Sequence, residues 1–140
     1  MKDLPISHEV FFMLNSFVDK LGQELQMKDL ILTTNEGTYT LPFDENIEVQ
    51  AIQIEHSYLF KGIIGPCPQT NKEAFIGKAM EANLFGKGTR NNSIGLTEDG
   101  NILTLSGELD YNSTYGEFKE KLEDFVSVLD FWRKEALTHH

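Results

Sequence analysis

The chain has 140 residues, 12 of them basic and 22 acidic, for a formal charge of −10, and 40% of it is hydrophobic. That is enough for one domain with its own core over residues 1–140, and the few, scattered Lys and Arg residues argue against the phosphate-neutralising surface that nucleic acids and anionic membranes require. No apolar run approaches the roughly 20 residues that span a bilayer, the Met1-Lys2-Asp3-Leu4-Pro5 start lacks the pattern of a cleaved signal, and a single Cys67 forms no internal disulfide and fits a reducing cytoplasm.

A first helix is predicted from about Ser7 to Gln26, with Ser7 as its N-cap. Val10, Phe11, Leu14, Phe17, Val18, Leu21 and Leu25 fall within roughly 120° of arc at about 100° per residue, a normal core stripe. Phe12 points almost the opposite way and Met13 lies off the edge. An aromatic there is either an incidental exposure or a contact residue. Strands follow. Leu30 to Thr34 leads into the turn signal Asn35-Glu36-Gly37, and Thr38 to Phe43 alternates with Tyr39, Leu41 and Phe43 on one face. After Asp44-Glu45-Asn46, the stretch from Ile47 to Ile54 carries Ile47, Val49 and Ala51 in one phase and Ile52 and Ile54 in the other. Tyr58 to Ile64 is also apolar in both phases. Such strands are covered on both sides, here by another chain, or are broken by a bulge.

Gly65-Pro66-Cys67-Pro68 ends this run, and Thr70-Asn71-Lys72-Glu73 reads as a capping box that opens a helix to Leu84. Its apolar residues Phe75, Ile76, Ala79, Met80, Ala82 and Leu84 spread over roughly 200°, twice the width of one core stripe. That helix is therefore expected to meet its own sheet on one side and a partner on the other, the alternative being deep burial within the chain. A loop from Gly86 to Asn92 precedes a hairpin. Ile94 and Leu96 stand on one arm, Glu98-Asp99-Gly100-Asn101 turns, and Leu103, Leu105, Gly107 and Leu109 alternate on the other. The last helix, from near Ser113, aligns Phe118, Leu122, Phe125, Val126, Leu129, Trp132 and Ala136, while Phe131 points away from that stripe. The fold expected is α+β: three helices on a twisted, mainly antiparallel sheet of about five to six strands, in the order α-β-β-β(-β)-α-β-β-α.

Reactive constellations do not emerge from the spacing. Gly86-Lys87-Gly88-Thr89 follows a helix and lacks the phosphate-loop spacing. Glu98-Asp99-Gly100 lacks the alternating carboxylates of a calcium loop. His8, His56, His139, His140 and Cys67 make no zinc pattern. Asp124 and Asp130 read as a solvated face, and Tyr39, Phe43 and Tyr58 could line a small-molecule pocket. No cofactor, metal or catalytic residue is expected.

The order of elements, together with Leu30-Ile-Leu-Thr-Thr-Asn-Glu-Gly, Tyr39-Thr-Leu-Pro-Phe-Asp, Ala79-Met-Glu-Ala-Asn-Leu-Phe-Gly, Ser93-Ile-Gly-Leu-Thr-Glu-Asp-Gly-Asn-Ile-Leu-Thr-Leu and Phe125-Val-Ser-Val-Leu-Asp-Phe-Trp-Arg, resembles the Tir chaperone family, the small effector chaperones of bacterial type III secretion. The resemblance implies a cytoplasmic homodimer without enzymatic activity, ATP or cofactor, whose partner is the extended N-terminal segment of a secreted effector, with the secretion ATPase as a further candidate partner. By position it places the subunit interface on Phe75, Ile76, Ala79, Met80, Leu84, Ile94 and Leu96. It places the effector grooves on the first helix and strands, at Phe12, Met13, Ile31, Phe43, Ile47 and Val49, and at Phe131. The competing expectations are a dimeric scaffold of the same fold unrelated to secretion and a small-molecule binding domain.

Overall fold

The computed structural model describes residues 6–26, 31–35, 37–43, 46–86 and 88–139, without the side chains of residues 6–12 and 32–35. Ser7, expected as the N-cap, falls inside the first helix, which begins at Ile6; the side chains of Ser7, Val10, Phe11 and Phe12, and Leu30, Glu36, the Asp44-Glu45 turn and Lys87, lie outside the described residues. The elements are α1 (Ile6–Glu24), β1 (Leu32–Asn35), β2 (Thr38–Pro42), β3 (Glu48–Ile54), β4 (Ser57–Pro66), α2 (Lys72–Phe85), β5 (Ser93–Leu96), β6 (Ile102–Asp110) and α3 (Tyr115–Thr138). The six strands hydrogen-bond in the order β1-β2-β3-β4-β6-β5, and β1–β2, β2–β3 and β5–β6 pair antiparallel. This is the expected α+β arrangement.

The stretch from Ile47 to Ile64 resolves into two strands joined at Glu55-His56. β2 and β3 pair without interruption from Thr38 opposite Ile52 to Pro42 opposite Glu48, so no bulge swaps the faces of β3 there. The one irregularity in the described β1–β2 and β2–β3 ladders falls between Thr33 and Asn35 in β1. Along β4, Tyr58, Phe60, Gly62 and Ile64 are buried in alternation, and the second apolar phase points outward, with Leu59 half-buried and Ile63 exposed.

The chain divides into two compact units. One comprises Met1–Phe60 and Glu108–Leu122, the other Lys61–Gly107 and Glu123–His140. In the first unit, Leu14, Phe17, Val18 and Leu21 of α1 are buried with Tyr39, Leu41, Val49, Ala51, Tyr58, Phe60, Phe118 and Leu122. Phe17 is central: its ring lies 5.1 Å from that of Phe118 and 5.9 Å from that of Tyr58, within the range of favourable aromatic pairs. Leu25, expected on the core stripe, is exposed, because the helix stops at Glu24 and Gln26 turns the chain with φ 56°. A polar clasp ties α1 to the start of α3. The Glu24 carboxylate accepts from the Tyr115 hydroxyl at 2.7 Å and from the Lys119 ammonium at 3.0 Å. These two bonds, Tyr115 first, hold the Glu24 carboxyl below its ordinary value.

Tyr58 is fully buried, its hydroxyl has no hydrogen-bond partner among the described residues, and burial pushes its pKa up. A buried hydroxyl without a partner costs about 1–3 kcal/mol. Tyr58→Phe is therefore expected to leave stability unchanged or raise it by about 1 kcal/mol. Urea unfolding of the two proteins measures this; a loss above 1 kcal/mol would show that the hydroxyl is bonded in solution.

In the second unit, α2 begins at Asn71, which sits in the left-handed region (φ 51°, ψ 42°) and makes no side-chain cap. The capping box expected at Thr70 and Glu73 is not formed. The Asn71 carbonyl accepts from the Phe75 N–H at 3.2 Å, the first regular bond of the helix, and also from the Ala74 N–H at 3.1 Å. A reciprocal capping box does occur at α3, where the Thr114 N–H donates to Glu117 Oε1 at 2.8 Å and the Glu117 N–H donates to Thr114 Oγ1 at 3.1 Å. At the other end of α2, Gly86 with φ 69° donates to the Ala82 carbonyl, the left-handed C-terminal stop that glycine takes without strain. The core holds Phe75 and Ala79 of α2, Ile94, Leu103 and Leu105 of the hairpin, and Phe125, Val128, Leu129 and Trp132 of α3. Two glycines permit this packing. A Cβ on Gly62 would lie 2.7 Å from a Leu129 methyl, and one on Gly107 would lie 2.1 Å from Asn92 Oδ1. Val128, not Val126, completes the buried stripe, because the turn from Gly88 to Asn92 comes over the Trp132 side of α3: the Trp132 indole N–H donates to the Gly88 carbonyl at 3.0 Å.

Candidate functional site: apolar surfaces on α2 and α3

α2 is the element whose apolar content exceeds what its own unit covers. Phe75 and Ala79, four residues apart, form the inward face. Met80 and Leu84, also four apart, lie about 140° round the helix at 100° per residue. Met80 is 64% exposed, Leu84 78% and Phe85 70%. Exposure of three large apolar side chains within six residues is an interaction-site signature rather than scattered surface hydrophobicity.

The residues expected at a subunit interface thus fall into two groups. Phe75, Ala79 and Ile94 are buried in the unit's own core, because β5 and α3 already cover that side of α2. Ile76 is half-buried, and Met80, Leu84 and Leu96 are exposed. Phe85, missed from the sequence because it is the last helical residue, belongs with the exposed group. A depression open to solvent, lined by Met80, Glu81, Asn83, Leu84 and Phe85, marks this surface.

A second depression, of about 340 Å³, is lined by Lys78, Glu81, Ala82, Phe85, Gly88, Phe131 and Trp132. Phe131, off the α3 core stripe as its angle requires, is 49% exposed and stands edge-on to Trp132 with ring centroids 5.5 Å apart. α3 carries paired charges. Lys78 bonds Glu135, and Arg90 donates to Asp124 at 2.7 Å. Lys134 bonds Asp130 at 2.8 Å. Exposed pairs like these contribute little stability; they neutralise local charge on a protein of charge −10.

Of the residues expected to line grooves in the first unit, Met13 is exposed, and Ile31 and Phe43 are half-buried. Ile47 and Val49 face the unit's own core, since the regular β2–β3 register sends that phase of β3 inward, so they support the surface rather than form it. The Phe12 side chain lies outside the described residues. Tyr39 and Tyr58 are core residues, Tyr39 donating to Asn15 Oδ1 at 2.9 Å. Gly86 caps a helix C-terminus, the negative end of the dipole and the wrong one for phosphate, and Thr89 is buried. Asp99 closes the hairpin turn, accepting from Thr97 Oγ1 at 2.6 Å and from the Asn101 N–H at 3.0 Å, and the Thr97 bond holds its carboxyl below the ordinary value. Among the described residues no three His, Cys, Asp or Glu side chains gather as metal ligands, and no helix is long and apolar enough to cross a membrane.

This arrangement of helices and strands matches that of known proteins. Residues 16–133 match the Tir chaperone protein (CesT) family. The chain belongs to that family, whose members are chaperones rather than enzymes. A protein of Chlamydia pneumoniae is 24% identical over 122 residues, covering 86% of this chain and 93% of that protein. A chain of the HopA1–SchA chaperone–effector complex superposes with a TM-score of 0.70 at 14% identity, covering 93% of this chain and 99% of the other. The Yersinia pestis type III secretion chaperone SycH, solved with a stable fragment of YscM2, gives a TM-score of 0.65 at 17% identity over 84% of this chain and 97% of the other. At these identities the structural likeness is one of fold.

Proposed function

We propose that this protein is a type III secretion effector chaperone of the bacterial cytoplasm. It works as a homodimer, binds the extended N-terminal segment of a secreted protein, and keeps that segment competent for secretion without ATP or catalysis. The observation that carries the reading is membership of the chaperone family across residues 16–133. Two similar folds were solved with an effector or a protein fragment bound, which supports a polypeptide as the ligand.

The physical basis is mass action. An unfolded segment loses conformational entropy on binding. Backbone hydrogen bonds at a sheet edge and pockets for alternate side chains offset that loss, and no chemical step is required. β1 lies at one edge of the sheet; Met13 of α1 and the half-buried Ile31 and Phe43, which flank β1 and β2, are assigned to client contact, with Phe12 assigned from its place in the sequence. Phe131 would take a further apolar side chain of the client. Met80, Leu84, Phe85 and Leu96 are assigned to the subunit interface. The secretion ATPase is the proposed destination of the loaded complex.

Tagged protein purified from its native cell in nucleotide-free buffer should carry a secreted protein, identified by mass spectrometry. Ile31→Asp is expected to lower the recovered client about tenfold or more while the subunit assembly stays intact, since a charge would have to be desolvated in the groove. Equal client recovery with Ile31→Asp would remove the first strands from the binding surface.

A further inference from the structure

β5 is the strand at the other edge of the sheet, with β6 on its inner side. An edge strand presents unpaired N–H and C=O groups and so templates the addition of another strand. In the β5–β6 ladder Ile94 stands opposite Leu105 and Gly95 opposite Thr104. Both backbone groups of one residue point to the same side of an antiparallel strand. The Ile94 N–H donates to Asn83 Oδ1 at 2.8 Å, and Asn83 Nδ2 donates to the Ile94 carbonyl at 2.8 Å. Those are therefore the outward groups of Ile94. A carboxamide carries a donor and an acceptor side by side, as a peptide group does, so Asn83 occupies the position that a neighbouring strand would take.

We infer that Asn83 is a strand mimic that closes the β5 edge against strand addition, by an extended client or by a second copy of the chain. β5 itself is only four residues long, which further limits templating. A partner docking on Met80, Leu84 and Phe85 then meets side chains rather than an open ladder. This goes beyond the effector-chaperone reading and does not depend on it, because it concerns which edge of the sheet is available to any extended chain.

The test compares the full chain with Asn83→Leu, which removes both bonds, and Asn83→Asp, which retains only an acceptor for the Ile94 N–H. Sedimentation velocity over a concentration series reads assembly, and amide hydrogen exchange reads Ile94. Asn83→Leu is expected to shift to species larger than the parent protein, with the Ile94 amide protected in those species and unprotected in the fraction of parent size. Asn83→Asp is expected to shift less, and it supplies the same two readings should Asn83→Leu fail to fold. Variants that keep the parent size at every concentration, or that form larger species in which Ile94 exchanges freely, would overturn the inference. The size of the parent itself reports separately on the homodimer.

Discussion

Met80→Glu combined with Leu84→Glu is expected to convert the proposed homodimer to a monomer of 15.9 kDa without unfolding it. Both side chains are mostly outside the chain's own core, at 64% and 78% exposure, so the helix loses little internal packing. In a two-fold interface the same patch meets itself, so two substitutions place four carboxylates in one buried contact. Desolvating each charge costs several kcal/mol, and the apolar burial of Met and Leu, about 1.5–3 kcal/mol per side chain, is lost as well. Together these raise the dissociation constant by on the order of 10³-fold or more. Sedimentation equilibrium and far-UV circular dichroism are the measurements. A normal dimer with native helicity would move the interface off α2.

Trp132→Ala is the substitution expected to cost most stability. The indole is 2% exposed, stands perpendicular to Phe75 with centroids 6.0 Å apart, and donates to the Gly88 carbonyl. It therefore joins α3, α2 and the turn after α2 at one point. Emptying such a site costs about 3–5 kcal/mol, against a total near 5–15 kcal/mol for a domain. A fall in the melting temperature of roughly 10–20 °C is expected, followed by circular dichroism because the variant has no tryptophan left to report by fluorescence. Trp132→Phe should fall between the two proteins, keeping most of the apolar contact and losing the hydrogen bond. A shift of only a few degrees for Trp132→Ala would mean that the turn from Gly88 to Asn92 is not anchored there.

Much of this was readable from periodicity, and the exceptions have physical causes. The wide apolar arc of α2 is divided between a buried face and an exposed one. It did not say that Phe75 and Ala79 belong to one and Met80 and Leu84 to the other, because an arc counts directions and not coverings. In both β3 and β4 one apolar phase is buried and the other is only partly covered, with Ile52, Ile54 and Leu59 half-buried and Ile63 exposed. Thr70 and Glu73 had the right spacing for a capping box, yet the box formed at Thr114 and Glu117; α2 starts one residue later than that box requires, with the left-handed Asn71 as its N-cap and no side-chain cap. The lock between Asn83 and Ile94 links positions 11 apart on two different kinds of element, which no local pattern reveals. Phe131 was recognisable because an aromatic opposite a core stripe has nowhere to be buried within its own helix packing.

Fluorescence anisotropy with peptides tiling the N-terminal segments of the proteins secreted by the same cell tests the central claim most directly. The account predicts that at least one segment binds with a dissociation constant of about 1 μM or tighter in nucleotide-free buffer. Binding that appears only when ATP is added, or no binding by any segment, would contradict it.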